Sequence, residues 1–172
     1  MAQLKRMLFS EFTTREQELI NAALDAMRRA QAPYSNFHVG SAILTDKNEI
    51  YAGCNVERCS YTQTTHAEQN AIDTMVAHVG SAKITMVVAA AAPKGKKIEL
   101  NMQSVHKNDF IASPAYTCGH CRQIIWENCY NDQSVRCVLI AENGDIYCTT
   151  IGDLLPFPFG PTALGITYST ER

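Results

Sequence analysis

The sequence predicts a three-layer α/β/α sandwich around a mixed five-stranded sheet, formed by a single domain over residues 1–172. Three observations lead there. Helical apolar patterns alternate with short strand-like runs, and two pairs of those runs are separated by turn residues, as hairpins are. One run, Ile84 to Ala92, is almost wholly apolar, as a strand covered on both faces requires.

The first helix follows from Thr14-Arg15-Glu16-Gln17, which fits a capping box, with Leu19, Ile20, Ala23, Leu24, Met27 and Ala30 at helical spacing behind it and Pro33 closing it. Phe37 to Leu44 reads as a strand, and the polar turn Asp46-Lys47-Asn48 leads into a second, Glu49 to Val56. His66 to Val79 carries Ala67, Ala71, Ile72, Met75 and Val79 in a helical pattern that Gly80 stops. After Ile84 to Ala92, residues 93–115 are polar and aperiodic, a loop long enough to suggest a functional role. Cys118 to Asn128 is a second buried helix. Val135 to Ala141 and Asp145 to Ile151 are strands joined through Asn143-Gly144, a type I′ hairpin signal, and residues 166–172 form a tail.

Composition narrows the function classes. A net charge of −2 argues against a nucleic-acid surface, and the only dense basic cluster, Lys94, Lys96 and Lys97 beside Pro93 and Gly95, reads as a solvated loop. No apolar run approaches the roughly 20 residues that span a bilayer, and the N-terminal residues lack a secretory leader pattern. The expected location is therefore cytoplasmic, where thiols stay reduced. Seven cysteines at irregular spacing then suggest a metal or catalytic role for a few and plain buried thiols for the rest, Cys54 and Cys59 included.

Cys118-Gly119-His120-Cys121 places two thiols three residues apart at a predicted helix start, where the N-terminal dipole favours thiolates. His66 begins another helix and can supply a third ligand. Three protein ligands leave the fourth tetrahedral position of a catalytic zinc for water. Glu68, two residues beyond His66, is placed to exchange protons with that water without binding metal. A histidine at a helix start could merely cap it, and a lone Cys-x-x-Cys could be a core pair; the joint pattern argues against both. His120, between the two thiols, points away from them. H-x-E followed by P-C-x-x-C is the zinc deaminase signature; here Thr117 stands in the place of its proline.

At these residues the chain resembles the cytidine deaminase family. Residues 33–42, PYSNFHVGSA, are similar to the family's PYSxFxVGAA; Asn55-Val56-Glu57 matches NVE; Cys118 to Gln123 matches CGxCRQ; and Leu154 to Pro161, LLPFPFGP, looks like LLPxxFGP. The resemblance implies one Zn²⁺ per subunit on His66, Cys118 and Cys121, with Glu68 as the proton-transferring catalytic residue. It implies Asn55 and Glu57 on the ribose hydroxyls, Phe37 against the pyrimidine, the backbone of Ala67 and Thr117 on the exocyclic amine, and Phe159 entering from a neighbouring subunit to stack on the base. Arg122 would support the site without touching substrate.

The implied reaction is hydrolytic deamination of cytidine and 2′-deoxycytidine to the uridines and ammonia, in pyrimidine salvage. Short-chain members usually carry CAER with a third cysteine ligand. One neutral imidazole and two thiolates on Zn²⁺ sum to zero charge, so Gln69 can replace the charge-balancing arginine. HAEQ is typical of a longer dimeric branch, but 172 residues do not accommodate that branch's extra domain, so a homotetramer is expected ahead of a dimer. The alternative substrate is a modified cytosine nucleoside such as blasticidin S, should the 93–115 loop cover the pocket. An antiparallel pairing of the last two strands and the absence of a basic surface set the expectation against nucleic-acid editing, and Glu68 sets it against a non-catalytic zinc protein.

Overall fold

The computed structural model describes residues 4–102 and 114–166. Its sheet has six strands in the order β1-β6-β5-β4-β2-β3, where β1 is Lys5–Met7, β2 Phe37–Thr45, β3 Ile50–Cys54, β4 Ile84–Pro93, β5 Arg136–Ile140 and β6 Ile146–Thr150. The helices are α1 (Thr14–Arg28), α2 (Ala67–Val79), α3 (Gly119–Asn128) and the single turn α4 (Ile151–Leu154). β4 and β5 are parallel, from Met86 opposite Arg136 to Ala90 opposite Ile140, and the other pairings are antiparallel. The sheet is therefore mixed and three-layered as expected, with one strand more than the five expected. Lys5, Arg6 and Met7 pair with Cys148, Tyr147 and Ile146 on β6, and Arg6 forms an ion pair with the buried Asp145. Three residues, two of them cationic, carry no strand periodicity; the partner on β6 makes them a strand.

Alternation along β4 sorts the two cores. Met86, Val88, Ala90 and Ala92 face α1 with Leu19, Ile20, Ala23 and Met27, while Val87 faces α2 and α3 with Ala71, Ile72, Met75 and Ile125. Both faces of β4 are buried, which is why its sequence is almost unbroken in apolar residues. Two glycines set how closely the helices lie. A Cβ on Gly40 would come within 2.1 Å of the Ala23 carbonyl of α1, and one on Gly53 within 2.4 Å of the Ala71 amide of α2.

Three local expectations shift. The capping box of α1 is built on Thr13, one residue earlier: Thr13 Oγ1 accepts from the Glu16 amide at 3.3 Å and Glu16 Oε2 from the Thr13 amide at 2.9 Å. α1 ends at Arg28, ahead of Pro33, and Gln31 then forms a parallel backbone bridge with Val56, its N–H donating to Asn55 O at 3.1 Å and its carbonyl accepting from Glu57 N at 2.8 Å. The β5–β6 hairpin is antiparallel as expected, but its turn is not type I′. Gly144 N donates to Ala141 O at 3.0 Å and only Gly144, with φ 86°, is left-handed, which is a three-residue loop closed by a glycine. Thr45 to Glu49 repeats the arrangement with Asn48 at φ 62°.

The first part of the expected 93–115 loop is ordered by the sheet. Ile98 is buried in the α1-side core with Leu100 against it, and Asn101 donates to Asp145 Oδ1 at 2.6 Å. Residues 94–102 thus cover the end of the β5–β6 hairpin and line no part of the cavity described next; residues 103–113 and the tail beyond 166 lie outside the described residues. Among the described residues no helix is long and apolar enough to cross a membrane.

Candidate metal centre and its cavity

α2 and α3 lie side by side on one face of the sheet with their N-termini adjacent. His66 is the N-cap of α2 (φ −77°, ψ 156°) and Cys118 the N-cap of α3 (φ −74°, ψ 166°). Neither side chain caps its own helix, so both are free to point at each other across the gap. Nδ1 of His66 lies 3.3 Å from Cys118 Sγ and 3.4 Å from Cys121 Sγ. All three donor atoms fall within 4.8 Å of one another. Zinc–sulfur and zinc–nitrogen bonds at a tetrahedral angle separate N and S donors by about 3.5 Å, so the observed spacings fit that ion without rearrangement. Two sulfurs and an imidazole are also the donors zinc prefers.

Glu68 occupies the first turn of α2, is 5% exposed, and places Oε2 3.3 Å from Cys121 Sγ. Burial, then the charges of Glu68 and Cys118, push the Cys121 thiol well above its ordinary pKa. A cation held among these donors would favour the Cys121 thiolate that burial and the neighbouring charges disfavour. The other buried thiols differ. Cys137 is pushed up to about 12 and Cys129 to about 11, chiefly by burial, and among the described residues neither joins a group of possible metal ligands. Cys59, expected to be buried, is exposed.

A cavity of about 300 Å³ opens onto the metal centre, a volume suited to a small ligand. His66, Ala67, Glu68 and Cys118 form one end; Phe37, Val39, Asn55 and Glu57 form the other; Tyr116 and Thr64 flank it. The two ends are held together by a backbone bridge between Val56 and Thr65, with N–H to O distances of 2.9 and 3.0 Å. Asn70 Nδ2 donating to Cys54 O at 3.0 Å docks α2 on β3.

Asn55 and Glu57 both reach the cavity, and each is also a brace. Asn55 Oδ1 accepts from Val39 N and its Nδ2 donates to Phe37 O, both at 2.9 Å. Glu57 accepts from Tyr34 N at 2.9 Å, Ser35 N at 3.2 Å and Ser35 Oγ at 2.5 Å. The Ser35 hydroxyl is the main cause that holds the Glu57 carboxyl below its usual range, against burial. Ser35, Val39, Thr64 and Tyr116 were not read from the sequence as cavity residues; Ser35 and Val39 lie inside the PYSNFHVG run that signalled the region.

The remaining expected residues divide. Ala67 is buried at the metal end. Thr117 is 2% exposed with its hydroxyl unpartnered, lies outside the cavity lining, and its carbonyl accepts from Arg122 Nε at 2.8 Å. Arg122 also donates to Leu154 O at 3.0 Å, tying α3 to the C-terminal segment. His120 is outside the ligand group, as expected, and meets Gln69 Oε1 at 3.3 Å. Phe159 is 63% exposed and does not enter the cavity of its own chain.

Comparison with known proteins agrees with this centre. Residues 13–137 match the family model described as the cytidine and deoxycytidylate deaminase zinc-binding region. The chain is 34% identical to a cytidine deaminase of Sporosarcina psychrophila over 157 residues, 91% of this chain and 98% of that protein. It is 31% identical to a blasticidin-S deaminase of Bacillus cereus, over 71% of this chain and 76% of that protein. A crystal structure of cytidine deaminase from Burkholderia pseudomallei superposes with a TM-score of 0.66 at 32% identity, covering 86% of this chain and all of that one.

Proposed function

We propose that this chain, which belongs to the zinc-dependent cytidine and deoxycytidylate deaminase family, hydrolyses cytidine and 2′-deoxycytidine to the uridines and ammonia. The observation that carries the reading is the buried Glu68 carboxylate beside the His66–Cys118–Cys121 group. A purely structural zinc site has no use for a carboxylate that is not a ligand.

His66, Cys118 and Cys121 would hold the zinc, which when bound supplies a Lewis acid that makes water a nucleophile near neutral pH. The chain's own residues do the rest. Glu68 accepts the proton of the attacking water and delivers it to N3 of the pyrimidine as C4 becomes tetrahedral. It then takes the proton of the new C4 hydroxyl and passes it to the departing amine, leaving the C4 carbonyl of the uridine and ammonia. Asn55 keeps one N–H and one lone pair beyond its two backbone bonds, and Glu57 keeps one lone pair, on Oε1, beyond its three, so both can meet ribose hydroxyls. Phe37 packs against the base. The backbone at Ala67 and Thr117 orients the exocyclic amine; the Thr117 carbonyl has a second lone pair besides the one Arg122 uses.

The antiparallel β5–β6 pair supports a free nucleoside as substrate over a nucleic acid. The same reading has the protein work as a homotetramer, with a dimer as the other assembly, and Phe159 of one subunit closing a neighbour's cavity. In support, Phe157 is 95% and Phe159 63% exposed, both on the C-terminal segment. It also has the enzyme act in the cytoplasm, consistent with seven cysteines that form no disulfide.

A second substrate, a modified cytosine nucleoside, is favoured by the Bacillus cereus relative. Parallel ultraviolet assays of zinc-replete protein with cytidine, deoxycytidine and blasticidin S separate the two. Turnover of the ordinary nucleosides upholds the first reading; turnover of blasticidin S alone replaces it.

A further inference from the structure

On the opposite face of β2 from the metal centre, two cavities of about 220 and 230 Å³ share His38 as a wall. The first has an apolar floor of Leu24, Met27 and Ile98 and a rim of Arg28, Lys96 and Lys97; Lys94 lines the second. No lining residue of either is acidic. In a chain of net charge −2, such a gathering of cations is local rather than a general property.

The lysines do not sit on a free loop. Lys94 N donates to Asn36 O at 2.8 Å, Lys96 N to Pro93 O at 3.1 Å, and Ile98 is anchored in the α1-side core. The fold therefore fixes the backbone that carries these cations, so they gather on one rim without a flexible loop having to order, and their like charges favour an anion there. Asp25 and Glu142 offset part of it from outside, pairing with Arg28 and Lys96 in exposed ion pairs of little strength. Among the described residues Lys94 and Lys97 make no ion pair. This trough was read from the sequence as a solvated stretch because Arg28 and His38, which complete it, are far from the lysines along the chain.

We propose that the trough binds a small phosphorylated ligand with a flat apolar body, the chemistry of a nucleoside di- or triphosphate. The phosphates would lie between Lys94, Lys96 and Lys97, and the flat body on Leu24, Met27 and Ile98. The site is separate from the nucleoside cavity, since His38 faces the trough while Phe37 and Val39 on either side of it line the cavity. Binding here does not depend on which nucleoside is deaminated.

Calorimetric titration of the zinc-loaded protein with inorganic tripolyphosphate and with adenosine triphosphate tests this, with zinc content checked after each run. Both ligands should bind one per chain, the nucleotide more tightly. The double variant Lys94→Glu, Lys97→Glu should weaken both by at least about tenfold while cytidine turnover keeps its kcat and KM. No saturable binding, binding that survives the double variant, or displacement by cytidine would overturn the site. Equal affinity for the two probes would overturn the apolar-body part of the ligand class.

Discussion

Cys121 Sγ lies 3.3 Å from Glu68 Oε2, a thiol and a carboxylate brought together from the first turns of two neighbouring helices. Without a cation, burial and the Glu68 charge raise the proton affinity of the Cys121 thiol. With one, the thiol would be a ligand and the carboxylate would be left beside it with lone pairs to spare. That relationship divides the roles of the centre and fixes what its variants do.

Removing a ligand should remove the metal. His66→Ala and Cys121→Ala are each expected to lose zinc and all turnover, while far-ultraviolet circular dichroism stays near that of the parent. The secondary structure survives because neither His66 nor Cys121 belongs to the two apolar clusters that hold the helices on the sheet. Zinc stoichiometry by atomic absorption checks it; a His66→Ala protein that retains one zinc would refute the ligand assignment. Chelation of the parent should reproduce the loss, and added zinc should restore activity.

Ser35 should set the acid side of the pH profile. Its hydroxyl is the largest cause of the lowered Glu57 pKa, so Glu57 stays ionised below the usual carboxylate range. A depressed carboxylate contributes its interactions above its unfolded value and loses them as pH falls through the folded one. Ser35→Ala raises that folded value, so the acid limb of kcat/KM for cytidine should move toward neutral pH. A limb that stays where it was means Glu57 does not govern it.

Gly53 should matter to catalysis although it touches no substrate. An alanine Cβ there would meet the Ala71 amide at 2.4 Å, backbone that cannot swing aside, so α2 must move and carry His66 and Glu68 with it. Gly53→Ala is expected to cost about 1–3 kcal/mol of stability and to lower kcat as well. Gly119→Ala, where a Cβ meets nothing within 4 Å, should leave stability unchanged or raise it. Thermal melts of the pair decide it: equal melting temperatures would mean α2 is not held against β3 as described.

Elements whose signals are local were legible in the sequence. The bounds of α2 and α3 were read to within one residue at each end, because Gly80 supplies a stop, with φ 76°, and the zinc-motif residues His66 and Cys118 themselves mark the starts. The His-Cys-Cys group was legible for the same reason: His66 and Cys118 each cap a helix start, and Cys121 follows in the first turn of α3. Features that depend on a distant partner were not. β1 is a strand only because β6 offers it an edge, and residues 94–102 are ordered by Asp145 and the α1-side core, not by any pattern of their own. The Asn143-Gly144 pair signalled a turn correctly but not its length, since one left-handed residue serves a three-residue loop as well as two serve type I′. Asn55 shows the limit most clearly. Its place in the cavity could be read from its motif, but its bonds to Phe37 and Val39 are set by the approach of β3 to β2.

The most direct test of the account measures zinc content and the fall in cytidine ultraviolet absorbance on the same samples of parent protein and Glu68→Ala. The parent should bind one zinc per chain and convert cytidine to uridine. The variant should bind the same zinc with turnover lower by at least about 10²–10⁴-fold. A Glu68→Ala protein that loses its zinc, or that keeps its turnover, would contradict the division of labour between Glu68 and the three ligands; a zinc-replete parent inert toward cytidine would contradict the proposed reaction itself.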